Sequence, residues 1–539
     1  MKHRILPLLP FVVAAVGGCA TVGPDYAAPD LPEAAVGDVL QELAGQAGPE
    51  AGPVTAEALA SWWETLEDPI LTQLVEQALD GNLDLRQAQS RVRMARHIVG
   101  ISRSGLYPHV DGSAMYQRNR ASENMVQQPS QTDLMKGMAG NLATALGVAQ
   151  TLSLLPTDPA QALLTVPGQV AGWPIRRDVD WESDYYTVGL DAAWEIDIFG
   201  GTRRGVEAAR ADLEAAQESL KAVWVSLAGA VAQNYISLRT YQARLGVAES
   251  NLAAQAETYE LLQSLYDSGL RDALAVQQAR YIMENTRASI PPLRSGIEAS
   301  MNSLAVLTGT MPGELHDLLA AGQPIPVASL KVVTGIPANA LRQRPDVRVA
   351  ERELAAQTAR IGEAKAELYP KFFLTGSIGI ESLRSSTLFD SGSDAWNIGP
   401  SISWPIFHAG AIRKNIEVQN ELQEQYLAAY ENTVLTAVKE VREALVDYAE
   451  QQQRREALLN AVDAAQNALA VAQDKYKNGL SDFNNVLDAQ RSLLTFEEQL
   501  AVSEGTISIN LVRLYKALGG GWGPMTAAGK EPVSSEMQN

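Results

Sequence analysis

Residues 82–108 read NLDLRQAQSRVRMARHIVGISRSGLYP, and residues 344–370 read RPDVRVAERELAAQTARIGEAKAELYP. The two stretches align without gaps: Asp84, Arg86, Ala88, Gly100, Leu106, Tyr107 and Pro108 match Asp346, Arg348, Ala350, Gly362, Leu368, Tyr369 and Pro370. Further along the chain the offset falls from 262 to 210. Trp194 then matches Trp404, Gly200 matches Gly410, Tyr266–Gly269 matches Tyr476–Gly479, and Gly309 matches Gly519. Punctuation shared over two halves marks an internal repeat, which constrains the fold more than any local propensity. Each half carries the same plan: a short helix, two strands, a long helix, a tight turn and another helix.

Outward from that repeat, the long helices are predicted from about Gly200 to Tyr266 and from about Gly410 to Tyr476. At 1.5 Å per residue each is a rod of roughly 100 Å. Heptad-spaced positions recur at Leu213, Leu220 and Leu227, at Val434, Val441 and Tyr448, and at Val462 and Leu469. Ala208, Ala209, Ala215 and Ala216 allow helices to approach closely. Taken alone, these helices describe a soluble coiled-coil spacer.

The strands point elsewhere. Residues 185–196 (YYTVGLDAAWEI) put Tyr186, Val188, Leu190, Ala192, Trp194 and Ile196 on one face, against Thr187, Gly189, Asp191, Ala193 and Glu195. Residues 372–381 set Phe372, Leu374, Ile378 and Ile380 opposite Phe373, Thr375, Ser377 and Glu381. Residues 396–406 set Trp396, Ile398, Ile402, Trp404 and Ile406 opposite Asn397, Ser401 and Ser403; a weaker alternation covers 110–117. Alternating segments of about ten residues with aromatics near their ends are the signature of an outer-membrane barrel. Four strands cannot close one, and an open sheet edge is not tolerated in lipid. The chain is therefore expected to oligomerise, with about eight strands from a dimer or twelve from a trimer, and a lumen of small polar residues favours the larger number.

The N-terminus supplies a destination. Residues 1–18, MKHRILPLLPFVVAAVGG, join Lys2 and Arg4 to a short apolar run broken by Pro7 and Pro10. That run is too short for a membrane helix, which needs about 20 apolar residues, and reads as a secretory signal. It ends at Cys19, the only cysteine of the chain, in a bacterial lipobox pattern, so Cys19 is expected to carry lipid. Acyl chains anchor stably because each buried CH₂ contributes about 0.8 kcal/mol. One cysteine in 539 residues excludes a disulfide framework or a multi-cysteine metal site. A formal charge of −20 argues against nucleic acid, whose phosphates need clustered Lys and Arg. Neither a GxxxxGK[ST] phosphate loop nor an HExxH pair is present, and no Ser/His/Asp grouping stands out, so no enzymatic activity is expected.

Several segments together resemble one family. They are CATVGPDYAAP from Cys19, SWWETLEDP at Ser61–Pro69, LTGTMPG at Leu307–Gly313, LRQRPDVRVAE at Leu341–Glu351, GLSDFNNVLDAQR at Gly479–Arg491 and YKALGGGW at Tyr515–Trp522. The chain resembles the outer membrane factor family, in particular the NodT-type lipoproteins related to TolC. The resemblance implies a mainly α fold with a membrane β-barrel part. A homotrimer would contribute four strands per chain to a shared 12-stranded barrel, continued by a long periplasmic α-helical barrel. It implies a passive exit channel of a tripartite RND-type efflux pump for small toxic compounds or metal ions. Its partners would be a periplasmic adaptor, an inner-membrane RND transporter and outer-membrane lipids, with no cofactor beyond the lipid on Cys19. The location would be the outer membrane, reaching into the periplasm. Two other readings are the duct of a type I protein secretion system, which normally lacks a lipobox, and a lipid-anchored periplasmic coiled coil.

The expected organisation is a signal peptide (1–18), a lipidated extended segment (19–60), a first repeat (61–310), a linker (311–340), a second repeat (341–520) and a C-terminal tail (521–539). An insertion over 119–181 separates the first strand pair, and family geometry puts it on the extracellular rim, as a lid or as a surface loop. By resemblance, Asn484, Asp488 and Arg491 face or brace the periplasmic constriction. Ser481 and Asn485 stand where some relatives carry Arg and Asp, and Ala275 replaces an acid in the first repeat.

Overall fold

The computed structural model describes residues 21–29, 61–120, 122, 182–270, 272–326 and 340–520. The signal segment, Cys19, the tail 521–539 and nearly all of the 119–181 insertion, including its apolar stretch 139–155, lie outside the described residues. After a 3-10 turn at Trp62–Leu66 come helices α1 (Pro69–Gly81) and α2 (Leu83–Ser104), strands β1 (His109–Arg120) and β2 (Glu182–Ile196), and helices α3 (Gly201–Asp267) and α4 (Ala273–Thr308). Short helices α5 (His316–Leu319) and α6 (Ala340–Gln343) precede α7 (Pro345–Ala366), β3 (Lys371–Ser382), β4 (Asp394–Ser403), α8 (Ala411–Lys477) and α9 (Asn484–Ala517). Helices α2 and α7 both run 22 residues, and α3 and α8 both run 67.

The chain divides into two compact units that cut across the sequence halves. One takes Met1–Leu106, Asp197–Pro370 and Trp404–Asn539; the other takes Tyr107–Ile196 and Lys371–Ser403.

Within the helical unit, local chemistry sets the helix ends. The Asp68 carboxylate accepts from the amides of Ile70 (2.9 Å) and Leu71 (3.1 Å), with Pro69 in the first turn. Asn82 caps α2 by accepting from Leu85 N at 2.9 Å, and its amide donates to Leu307 O at the end of α4. At the aligned position Arg344 donates to Ala517 O at 2.7 Å near the end of α9 and pairs with Asp346 and Glu440, each at 2.7 Å. Both long helices end in the same turn. Gly269 and Gly479 adopt φ of 74° and 72°, and the following amides reach back to Leu265 O and Lys475 O at 2.9 Å. This is a Schellman turn, whose left-handed residue favours glycine.

Helix α3 is the spine, with α1, α2, α4, α7 and α9 packed along it, while α8 packs on α7 and α9. The main core gathers Trp62, Leu71 and Leu74, the middle of α3 from Leu227 to Leu238, Leu304 of α4, and Ile507, Leu511 and Tyr515 of α9. Trp62 stacks on Tyr515 at 5.4 Å, and the Tyr235 hydroxyl donates to Asp68 at 2.6 Å. The heptad positions Leu220, Leu227, Val434, Val441 and Tyr448 are buried as their spacing predicts. Among the described residues no helix is long and apolar enough to cross a membrane.

The strand unit is a four-stranded antiparallel sheet in the order β1-β2-β3-β4. None of its strand residues is buried in a single chain. The fourth strand corrects the sequence reading, which extended it from 396 to 406: it begins at Asp394 and ends at Ser403. Ser403 lies opposite Lys371, the first residue of β3, so the ladder has no partner beyond it, and Pro405 has no N–H to continue. Trp404, read as a strand residue, instead donates its indole N–H to Leu368 O at 3.2 Å.

Candidate functional site

The turns that join α3 to α4 and α8 to α9 lie together at one end of the two helical hairpins. In the first, Asp272 caps α4 by accepting from Ala275 N at 3.2 Å. In the second, Phe483 meets Tyr476 edge-on at 5.0 Å. Phe483, Val486 and Leu487 bury themselves against Leu262, Val276, Ala279 and Ile282, so apolar contact joins one hairpin to the other.

The residues expected at a constriction stand on the start of α9, just past this cluster. Arg491 Nη1 lies 3.8 Å from Asp488 Oδ1, and Arg491 Nη2 donates to the Tyr281 hydroxyl of α4 at 3.2 Å. Both Asp488 and Arg491 are more than half exposed. Asn484, the exposed first residue of α9, shares their helix face one turn earlier and is not drawn into this contact. Asn485 donates to Ser481 Oγ at 2.7 Å. The structure thus brings Asp488 and Arg491 together and adds Tyr281, which the sequence reading missed. Tyr281 holds in the first half the position that Arg491 holds in the second, at the same offset of 210. That alignment is the signal by which it could have been found. Arg491 therefore joins the two hairpins through one hydrogen bond to Tyr281, while its exposed pair with Asp488 lies within α9 and is worth about 0.2–0.5 kcal/mol.

Between the tip cluster and the main core, the α3–α9 seam is polar. Gln490 donates to Thr258 Oγ1 at 3.2 Å, Asn251 donates to Glu497 at 3.0 Å, and Arg244 faces Glu498 at 3.9 Å. Gln255 is buried in the same stretch of α3 and its side chain makes no hydrogen bond.

A second group missed by the sequence reading holds the N-terminal strap. Thr21–Pro29 has no regular secondary structure and bends at Gly23, and its Val22 amide donates to Phe199 O at 3.1 Å. Arg204, only 3% exposed, donates to Val22 O at 3.1 Å and pairs with Asp25 and Glu207 at 2.7 Å each. Tyr26 donates to Glu351 at 3.3 Å beneath the Arg352 guanidinium, and burial together with Glu351 pushes its phenol well above the usual range. The strap begins two residues after Cys19, which itself lies outside the described residues.

The sheet sorts its side chains by chemistry. Directly opposed residues share a face. Val110, Ala114 and Tyr116 oppose Ala192, Val188 and Tyr186. Val188, Leu190, Trp194 and Ile196 oppose Ile380, Ile378, Leu374 and Phe372, and the last of these opposes Ile402 in turn. Most of the large apolar residues of the four strands therefore lie on one face. The other carries the row Asp111, Asp191, Ser377 and Asn397. Ser113 donates to Asp191, and Asn397 to Ser377, at 2.7 Å each. Phe373, Met115 and Tyr185 are the bulkier members of that polar face.

Known proteins share this plan. The model of the outer membrane efflux protein family matches residues 74–155, 176–310 and 336–520. The solvent efflux pump outer membrane protein SrpC of Pseudomonas putida is 31% identical over 523 residues, covering 97% of this chain and 99% of the relative. Nodulation protein T of Rhizobium leguminosarum bv. trifolii is 29% identical over 521 residues, covering 96% and 98%. Among solved structures, the outer-membrane channel OprN superposes with a TM-score of 0.76 at 33% identity, covering 94% of this chain and all of that one. CusC gives 0.73 at 26% identity, covering 93% of this chain. With the greater part of its length matched by the family model and nearly all of it by a relative above 30% identity, the chain belongs to the outer membrane efflux protein family.

Proposed function

We propose that this efflux channel is the outer-membrane exit duct of a tripartite RND-type pump, built as a homotrimer. Four strands per chain would close a shared barrel of twelve, continued in the periplasm by a barrel of the long helices. The observation that carries this reading is the sheet: it has an apolar face and a polar face, no buried strand residue, and two outer strands paired on one side only. Such edges are tolerated in lipid only when another copy pairs with them. The apolar face then meets acyl chains and the polar face lines water. Each strand, at 10 to 15 residues, is long enough to span the hydrocarbon layer, which takes about 9–11 residues when tilted. The two halves, with helices of matched length and glycine turns at matched places, are read as a duplicated unit.

The finer features follow from the same reading. Lipid on Cys19 would hold the strap beside Arg204. Three copies of Asn484, Asp488 and Arg491 would constrict the periplasmic end. A periplasmic adaptor and an inner-membrane RND transporter would supply the energy, in keeping with relatives described as components of solvent, toluene and antibiotic efflux pumps. Small toxic compounds are the cargo class those names support. Planar-bilayer recording of the purified oligomer is the test: discrete, cation-preferring conductance steps are expected. A silent bilayer with verified, inserted oligomer would overturn the duct.

A further inference from the structure

Arg239 lies near the middle of α3 and is 0% exposed. One end of its guanidinium is tied down. Nη1 donates to Gln242 Oε1 at 2.8 Å and to Ala321 O at 2.7 Å, and Gln242 donates in turn to Leu319 O at 2.8 Å. The group thereby fastens the segment after α5 to the spine. One flat face is covered as well, with Cζ 4.7 Å from the centroid of the Tyr235 ring. The remaining edge, Nε and Nη2, has no hydrogen-bond acceptor. Those two N–H groups form the parallel fork with which arginine holds a carboxylate or another anion.

Among the described residues Arg239 makes no ion pair. A guanidinium cannot shed its charge on burial, as a lysine can, and a buried charge left uncompensated is strongly destabilising. Asp68 is reached only through Tyr235: the phenol donates to one carboxylate oxygen at 2.6 Å, and the amides of Ile70 and Leu71 donate to the other. Burial and then Asp68 push the Tyr235 phenol well above its usual range, so it stays neutral and supplies no counter-charge. Two chemistries can fill the fork, and hydrogen counting separates them. A water accepts from both donors but brings two hydrogens of its own, each in need of an acceptor. Among the described residues, the buried carboxylate and amide side-chain oxygens without a partner are Glu218 Oε2, Gln255 Oε1 and Gln490 Oε1. Glu218 and Gln255 stand 21 and 16 residues from Arg239 on α3, which is about 32 and 24 Å along the helix. Gln490 sits at Thr258, farther along than Gln255. An anion accepts without donating and cancels the charge as well.

We propose that the Nε–Nη2 fork of Arg239 holds a small inorganic anion of chloride size, in the core where α3 meets the segment that follows α5. Full burial of the side chain favours a monatomic ion over a substituted carboxylate, which needs room for its own stem. The site belongs to a single chain, so it needs neither the oligomer nor the duct. The repeat supplies an internal control. At the offset of 210, Tyr235 and Arg239 correspond to Leu445 and Ala449, so the second half has no such fork and each chain holds one anion.

Full-length protein purified in detergent tests the assignment in two ways. Thermal unfolding is followed in sodium chloride and in sodium gluconate, whose anion is bulky, at matched ionic strength. Chloride should raise the wild-type midpoint by several degrees, as a ligand of the folded state does. Arg239→Gln should lose that difference, and Arg294→Gln, at an exposed arginine of α4 paired with Glu249, should keep it. Equal wild-type midpoints in the two salts, or a chloride effect that survives in Arg239→Gln, overturn the site. Should Arg239→Gln fail to fold, the wild type still decides. Crystals grown in sodium bromide should show one anomalous-scattering peak per chain within hydrogen-bond reach of Nε and Nη2. A water molecule at the fork, or bromide found only elsewhere on the molecule, overturns the anion. Planar-bilayer conductance does not depend on either result, so a failure here leaves the duct standing.

Discussion

The helical unit has a core of its own, and the sheet has none. Trp62, Leu71, Leu74, Tyr235 and Tyr515 are almost wholly shielded from water inside a single chain, and burying a large apolar side chain contributes about 1.5–3 kcal/mol. Ile378, Trp396, Ile398 and Ile402 are equally apolar and stand exposed. Within one chain their side chains bury nothing. The stability of the helices therefore belongs to the chain, and that of the sheet belongs to its surroundings.

The largest effect is expected in the helical unit. Trp62→Ala removes the ring stacked on Tyr515 and should cost about 3–5 kcal/mol, read as a lowered midpoint of helical unfolding in detergent. A midpoint shifted by less than one degree would show that this core is not what holds the helices. In the sheet, Ile378→Arg on the apolar face should destabilise the membrane-inserted form by about 2–4 kcal/mol while leaving helical unfolding in place. Its neighbour Ser377→Arg, on the polar face, should insert normally and change conductance instead. If the two variants exchanged phenotypes, the lipid and water faces would be the reverse of those assigned.

A smaller effect is expected from pH. Burial opposes the Asp346 charge, but the hydrogen bond and charge of Arg344 outweigh it and hold the carboxyl below the usual carboxylate range. A carboxyl lowered on folding adds stability above its unfolded pKa of about 4 and loses it as pH falls through the lower folded value. Asp346 is nearly half exposed, so screening keeps this contribution under about 1 kcal/mol. Asp346→Asn should lower the unfolding temperature at pH 7 and converge with the wild type as pH falls through the lowered folded value; a gap that stays constant as the pH is lowered would count against the ion pair as the cause. The smallest effect on stability is expected at the tip. Asp488→Ala with Arg491→Ala should cost about 0.5 kcal/mol or less yet raise single-channel conductance and weaken cation preference. Unchanged conductance in assembled double-variant oligomers would leave Asp488 a solvated surface residue.

Much of the architecture was legible in local pattern. Period-two alternation located all four strands, and glycine punctuation placed the ends of the long helices within a residue or two. The reading failed where the answer depends on a partner. Alternation carried the last strand through Trp404 to Ile406, but a strand ends where its ladder ends, and β3 offers nothing past Lys371. Tyr281 and Arg491 are 210 positions apart and meet only because two hairpins pack side by side. Nothing in the local sequence singles out Arg204, and its burial comes with a strap some 180 residues earlier in the chain.

The sequence by itself determined the element plan, its repetition and the two chemistries of the sheet, because periodicity, turn glycines and caps act over a few residues and need no distant neighbour. Only the tertiary structure decided which faces are covered. Helices α2 and α7 come from matching segments of equal length, yet among the described residues α7 is enclosed by α3 and α8 whereas α2 packs mainly on α3. Burial depends on what lies across the gap, and a linear pattern carries no record of that.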